Sequence, residues 1–275
     1  MAKSQTGSQR DDESSFCMDK GEEEEHFDCL LVGAGISGLD AAYHIQKHAS
    51  WATFAILERR GNLGGTWDFF KYPGLRCDSK MYTFGFYWKP WESVEPIASK
   101  EEIQTYLREA AEEHGLLEKI KFNTDIAKAH WSSLDDKWHL LTKEGVKFSC
   151  NVLFGCTGYY SYEKPYEPTF PGRDRFCGPI VHPQRWTEEH DKMIVDKKVV
   201  LIGSGATAVT ILPSIVDIAS HVTMIQRSPT YIAAKPRVDP IAKFLTTWLP
   251  LGLALWVNRW IQVILIALFY QYCSW

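Results

Sequence analysis

Two glycine-rich turns, each set between an apolar run and a helical stretch, limit what this chain can fold into. The first is Gly33-Ala34-Gly35-Ile36-Ser37-Gly38 and the second is Gly203-Ser204-Gly205-Ala206-Thr207-Ala208. The run Phe27–Val32 leads into the first, and Lys198–Ile202 leads into the second. Strand, tight turn and helix open a βαβ unit, whose parallel strands are covered on both faces. The first glycine permits the turn, the second lets backbone approach a pyrophosphate, and the third, where alanine is tolerated, lets helix and strand pack closely. The helix N-terminus then offers N–H groups and partial positive charge to phosphates. The alternative is that the glycines serve only a turn. The expected fold class is α/β, with two Rossmann-like dinucleotide-binding domains.

The residue at ribose distance differs between the two turns. Glu58 stands 25 residues after Gly33, closing the run Ala52–Leu57, and an acid there accepts a free ribose 2′-hydroxyl. Arg227 holds the corresponding place after His221–Gln226. A guanidinium there forks onto a 2′-phosphate, with the Ser228 hydroxyl as a further donor. The alternative for Arg227 is a solvated side chain at a strand end. Two different dinucleotides are expected, FAD at the first turn and NADPH at the second.

Composition removes other classes. Of 275 residues 45% are hydrophobic, enough for a packed core, and the length suits two domains or one elaborated one. A net charge of −4 with no basic stripe argues against nucleic-acid binding. Cys17, Cys29, Cys77, Cys150, Cys156, Cys177 and Cys273 form no C-x-x-C pair and no zinc spacing. No metal site is therefore expected, and a reducing, cytoplasmic setting is. Residues 1–25 end in Glu22-Glu23-Glu24-Glu25, lack an apolar signal region and read as a disordered acidic tail.

Between the turns, the first helix is expected from Ile36 to about Ala49. Glycine, proline and aromatic residues crowd Gly61–Pro96, which reads as mostly loop. Ser99-Lys100-Glu101-Glu102 is a capping box, and its helix runs to Glu113-His114, where Gly115 stops it. Alternating stretches over Lys119–Ser149, such as Lys137–Thr142, predict a small antiparallel layer. Asn151–Cys156 reads as a buried strand ending at Thr157-Gly158. The second helix is expected to reach about Ala219. Phe244–Tyr270 is the most apolar stretch. Pro250, Asn258 and Arg259 interrupt it, so neither half reaches the ~20 residues of a spanning helix. Two buried or surface-lying helices are expected over 241–275, and attachment to a membrane through 244–271 stays open.

Two further motifs carry a family resemblance. Gly64-Gly65-Thr66-Trp67 with Tyr72-Pro73-Gly74-Leu75-Arg76-Cys77-Asp78 resembles the G-G-x-W…Y-P-G-x-x-x-D motif of class B flavin monooxygenases. Phe176-Cys177-Gly178-Pro179-Ile180-Val181-His182-Pro183-Gln184-Arg185-Trp186 resembles their F-x-G-x-x-x-H-x-x-x-W fingerprint. The closing tryptophan is the Baeyer–Villiger form, whereas dimethylaniline-type members end in tyrosine or phenylalanine. Thr187 departs from the proline or aspartate that usually follows. The four motifs, in order, cover residues 28–231.

The resemblance implies an FAD/NAD(P)-binding fold of the three-layer ββα type. It implies an FAD-binding part over 26–165, a fingerprint linker over 166–190 and the first part of an NADP-binding domain over 191–240. It also implies a reaction in which NADPH reduces FAD and a flavin C4a-(hydro)peroxide inserts one atom of O₂ into a small apolar organic substrate. The insertion is Baeyer–Villiger-like or N/S-oxygenating. Trp67 and Tyr72 are implied to lie near the flavin–nicotinamide contact, Asp78 beside the flavin, and His182 and Trp186 in the linker that couples domain movement to catalysis. Each has a plainer alternative: Trp67 and Trp186 as core, Asp78 as a turn or cap, His182 as a hydrogen-bonded structural residue. A disulfide reductase also carries two dinucleotide folds, but its redox cysteines would stand where this chain has Gly65-Thr66-Trp67.

Members of this family usually run to about twice this length. Their later residues close the FAD domain and supply the active-site arginine. The FAD domain is therefore expected to be incomplete at its C-terminal end. The alternative to an enzyme is a truncated, non-catalytic FAD/NADP-binding fragment, or a subunit that another polypeptide completes.

Overall fold

The computed structural model describes residues 24–228, 230, 232 and 234–274. Most of the expected acidic tail lies outside the described residues. Its last two residues belong to the fold: strand β1 spans Glu25–Val32, two residues more than the apolar run. Glu25 pairs with Phe148 in register and its carboxylate meets Lys121 Nζ at 2.9 Å.

β1 leads through the first glycine turn into helix α1 (Ile36–His48) and strand β2 (Phe54–Leu57). Every β2 residue is buried, as in the interior of a parallel sheet. Two short helices, α2 (Thr66–Phe69) and α3 (Met81–Phe84), interrupt the expected loop. Helix α4 (Lys100–Glu113) starts as expected: Ser99 Oγ accepts the Glu102 N–H, and the Glu102 carboxylate accepts the Ser99 N–H at 2.7 Å. Its buried residues Ile103, Tyr106, Leu107, Ala110 and Ala111 follow helical periodicity and pack with Leu39, Ala42 and Ile45 of α1.

The expected antiparallel layer and the strand after it form one continuous sheet. β3 (Ile120–Lys121), β4 (Ile126–Ser132), β5 (Lys137–Thr142) and β6 (Lys147–Gly155) join β1 and β2 in the order β3-β2-β1-β6-β5-β4. β6 pairs antiparallel with β5 through its first half and parallel with β1 along its length. A nine-residue strand is long enough to do both.

The second glycine turn joins β7 (Lys198–Ile202) to α6 (Ala206–Ile215), and β8 (His221–Ile225) pairs parallel with β7. α6 stops four residues short of Ala219, just past Pro213, whose missing N–H weakens the last turn. Before it, a short helix α5 (Glu188–Met193) follows the fingerprint motif.

The C-terminal stretch gives two helices, α7 (Pro240–Trp248) and α8 (Leu251–Cys273), broken at Pro250 alone. Asn258 and Arg259 do not interrupt α8, contrary to expectation, because both find partners. Arg259 Nη1 donates to the carbonyls of Tyr82 and Gly85, each at 3.0 Å. Buried Asn258 accepts from Gln262, and Gln262 and Asp239 both accept from Lys80 Nζ. α8 is thus long and apolar enough to cross a membrane by length and composition.

Candidate cofactor sites

The first turn is built by close backbone contact. Gly33 has φ +111°, and a Cβ there would stand 2.5 Å from the Cys156 carbonyl oxygen. A Cβ on Gly38 would meet the Gly33 oxygen at 1.9 Å, so the third glycine is what lets α1 seat against the turn. α1 starts at Gly35 without a side-chain cap, which leaves the N–H groups of its first turn available.

Opposite this turn stands the Gly64–Trp67 motif. Gly65 has φ +54°, and a Cβ there would reach 3.1 Å from the Gly35 Cα, so the two motifs abut. Between them opens a cleft of about 450 Å³. Ten expected residues line it: Gly33, Gly35, Ile36, Ser37, Glu58, Gly65, Thr66, Trp67, Thr157 and Gly158. Gly38 lies beneath the turn.

Glu58 is 4% exposed and binds the turn itself. Oε2 accepts the Ala34 N–H at 2.8 Å and Oε1 accepts the Arg60 N–H at 3.0 Å. Each carboxylate oxygen retains a lone pair for a sugar hydroxyl. A second layer supports this one: Arg60 pairs with buried Asp68, and Gln104 of α4 donates to Asp68 Oδ1 at 3.1 Å. Glycine cradle, uncapped helix start and buried acid together fit the diphosphate and ribose of a dinucleotide.

The sequence reading missed Arg59 and the segment after Gly158. Arg59 lines the mouth and pairs with Glu163 (3.2 Å) and Asp125 (3.8 Å). Tyr162 lines the cleft and stacks on Phe69, with centroids 4.0 Å apart and planes at 15°. The only sequence signal was a tyrosine-rich run directly after Thr157-Gly158.

The second turn is open on its outer side. Gly203 has φ +123°, and neither Gly203 nor Gly205 has an atom within 4 Å of where a Cβ would stand. Gly205 starts α6 without a side-chain cap. Ser204 Oγ donates to the Ser228 carbonyl at 3.2 Å, tying the turn to the β8 exit. Thr207 is half-buried, Ala208 is buried and Arg227 is exposed.

The remaining expected residues stand apart from the cleft. Tyr72 is buried against α6 with Phe70, Leu75, Ile211 and Ile215. Burial raises its pKa, partly offset by hydrogen bonds from Thr207 and Thr210. Gly74 explains this seating: it has φ +75°, and a Cβ would meet Ser214 Oγ at 2.1 Å and the Thr210 oxygen at 2.4 Å. Trp67 packs against both this cluster and the α1–α4 core, so it joins the cleft to α6. Asp78 is exposed beside Arg76, 3.5 Å from its Nε. His182 Nδ1 accepts the Gln184 N–H at 3.2 Å, and burial lowers its pKa, leaving the ring neutral near pH 7. Neither Asp78 nor His182 lines the cleft with Trp67. Trp186 is half-buried against the α6 cluster and donates to Asp191 at 2.8 Å.

Among the described residues no cluster of His, Cys, Asp and Glu suits a metal ion, and six cysteines are free.

Known proteins share these features. The chain is 49% identical to the FAD-containing monooxygenase EthA of Mycolicibacterium smegmatis over 240 residues, 86% of this chain and 48% of that protein. It is 46% identical to the probable FAD-binding monooxygenase AlmA of Acinetobacter baylyi over 241 residues, again 86% and 48%. Among solved structures, an oxidized steroid monooxygenase bound to NADP superposes with TM-score 0.65 at 30% identity, over 75% of this chain and 40% of that one. OTEMO in complex with FAD and NADP gives TM-score 0.63 at 30% identity, over 74% and 39%. The chain spans about half the length of the curated relatives it matches. The flavin-binding monooxygenase-like family model matches residues 28–240, from within β1 to the first residue of α7, and the chain belongs to that family.

Proposed function

We propose that the chain holds FAD in the first cleft and NADPH at the second turn, and works as a monooxygenase that puts one atom of O₂ into a small apolar organic substrate. The observation that carries this is the contact of Gly35 with Gly65, which makes the phosphate turn and the Gly64–Trp67 motif two walls of one cleft. The bound pair supplies hydride transfer to flavin and activation of O₂. The chain's residues do the rest. Gly33, Gly35, Ile36, Ser37 and Gly38 cradle the FAD diphosphate, Glu58 accepts its ribose hydroxyls, and Gly65, Thr66, Thr157 and Gly158 flank its course.

Trp67 forms the wall nearest the reacting ring and helps keep water out. Gly203, Ser204, Gly205, Thr207 and Ala208 form the second cradle, where Arg227 and Ser228 take the 2′-phosphate. Asp78, His182 and Tyr72 enter on the strength of their motifs. Tyr72, bonded to the first turn of α6, carries nucleotide binding there back to the Trp67 loop. In domain terms, 26–165 forms the FAD-binding part, 166–190 the linker and 191–240 the NADP-binding part.

Adding NADPH anaerobically to the FAD-loaded protein should bleach the yellow flavin spectrum, and air should restore it. A protein that takes up no FAD, or that NADPH leaves yellow, rules the reading out.

A second reading has a specific observation behind it. Val200, Ile202 and Ile225 on β7–β8 are 54%, 59% and 53% exposed, which suits a sheet that another polypeptide segment completes. In either reading the setting is cytoplasmic, with α7–α8 attaching the molecule to a membrane.

A further inference from the structure

We infer that Tyr162 is a further cofactor-binding residue, whose hydroxyl donates to the FAD diphosphate beside the junction of Gly35 and Gly65. This rests on the reading of the first cleft as the FAD site. This junction is the place where the two walls of the cleft abut, a Cβ on Gly65 falling 3.1 Å from the Gly35 Cα. Tyr162 stands at its edge: a Cβ on Gly65 would lie 3.8 Å from the Tyr162 hydroxyl. Thr66, on the same wall, bonds that hydroxyl.

The ring is held in place by an aromatic and two cations. Phe69 stacks on it at 4.0 Å, and the Arg59 and Arg60 guanidinium carbons lie 5.7 and 5.8 Å from its centroid. Arg60 is itself fixed by Asp68 and lies 5.2 Å from the Phe69 centroid as well, so the cation flanks the stacked pair. A phenol fixed by stacking loses little freedom on binding a ligand. Burial raises its pKa, so the proton stays on oxygen at neutral pH and can be donated to an anion. The Gly64 N–H does not compete with it, because that group already donates to the Ala34 carbonyl at 2.9 Å.

The test compares Tyr162→Phe with the wild-type 275-residue chain, since phenylalanine keeps the stack and removes only the hydroxyl. FAD is titrated into flavin-free protein by fluorescence, and ADP and adenosine are each used as competitors. The variant should bind FAD about tenfold more weakly. ADP should compete correspondingly less well against it, while adenosine competes equally with both proteins and the melting temperature of the flavin-free protein is unchanged. Equal FAD affinity in the two proteins overturns the proposal, and so does a loss shared by adenosine and ADP, which would mean a packing role. A wild-type protein that binds no FAD overturns the reading of the cleft itself, a distinct outcome.

Discussion

Gly38 and Ala208 hold the same place in the two turns, yet only the first is glycine. The 1.9 Å approach to the Gly33 oxygen explains the difference: the first helix lies too close to its turn for any side chain. Ala208 is buried, and the second turn accommodates its methyl group. Gly38→Ala should therefore cost about 1–3 kcal/mol and abolish FAD uptake, whereas Ala208→Gly should cost under about 1 kcal/mol. Thermal melts and FAD titration of both variants check this, and equal effects would contradict it. Arg227 is exposed and free to turn toward a ligand. Arg227→Ala should raise the KM for NADPH far more than that for NADH, a loss of about 1.5–3 kcal/mol. Equal loss for both coenzymes would falsify its assignment to the 2′-phosphate.

The glycines and Glu58 were legible in the sequence because their positions follow from backbone geometry. The directions of the Tyr72, Asp78 and Tyr162 side chains were not, because a motif gives order along the chain and not where a side chain points.

Helix α4 shows how far local signals reach. Its capping box, apolar stripe and terminating glycine are all short-range, and the helix appears where they place it. α8 shows the opposite. Arg259 looks like an interruption until the Tyr82 and Gly85 carbonyls, some 175 residues away in sequence, accept from it, and Asn258 until Gln262, itself bonded to Lys80, donates to it. The short helices α2 and α3 and the continuity of β6 were equally hidden, since each depends on tertiary contacts.

β5 carries a contact with a pH signature. His139, buried, meets Glu24 at 2.8 Å and Asp135 at 2.9 Å, clamping the start of β1 to the β4–β5 turn, with His130 opposite in register. Burial lowers its pKa, but the hydrogen bonds and charges of the two acids outweigh this and raise it above 6.5. The protonated form is favoured in the folded state. Its contribution is full below about pH 6.5 and fades as pH rises through the raised folded value. His139→Gln should lower the melting temperature most near pH 5.5 and progressively less as pH rises through the raised folded value. A pH-independent difference would mean that the charge of His139 does nothing for stability.

The molecule as a whole presents one surface that water does not suit. Beyond Trp260 the sequence holds no charged residue, and every residue from Val263 to Ser274 is exposed. Trp256, Trp260, Ile264 and Leu268 form an outward stripe opposite the buried Ala254, Asn258 and Gln262. Phe244 and Trp248 of α7 add to it, with exposed Lys243 beside them. The exposed apolar side of this helix calls for an apolar surrounding. Tryptophans on the exposed side suit an element that meets a bilayer at its surface, the attachment proposed above.

The protein should therefore float with phosphatidylcholine–phosphatidylglycerol vesicles on a density gradient. The double variant Ile264→Glu/Leu268→Glu should remain behind with an unchanged melting temperature, because both side chains are exposed and contribute nothing to the packed body. Flotation of both proteins, or of neither, would mean that α8 meets something other than lipid.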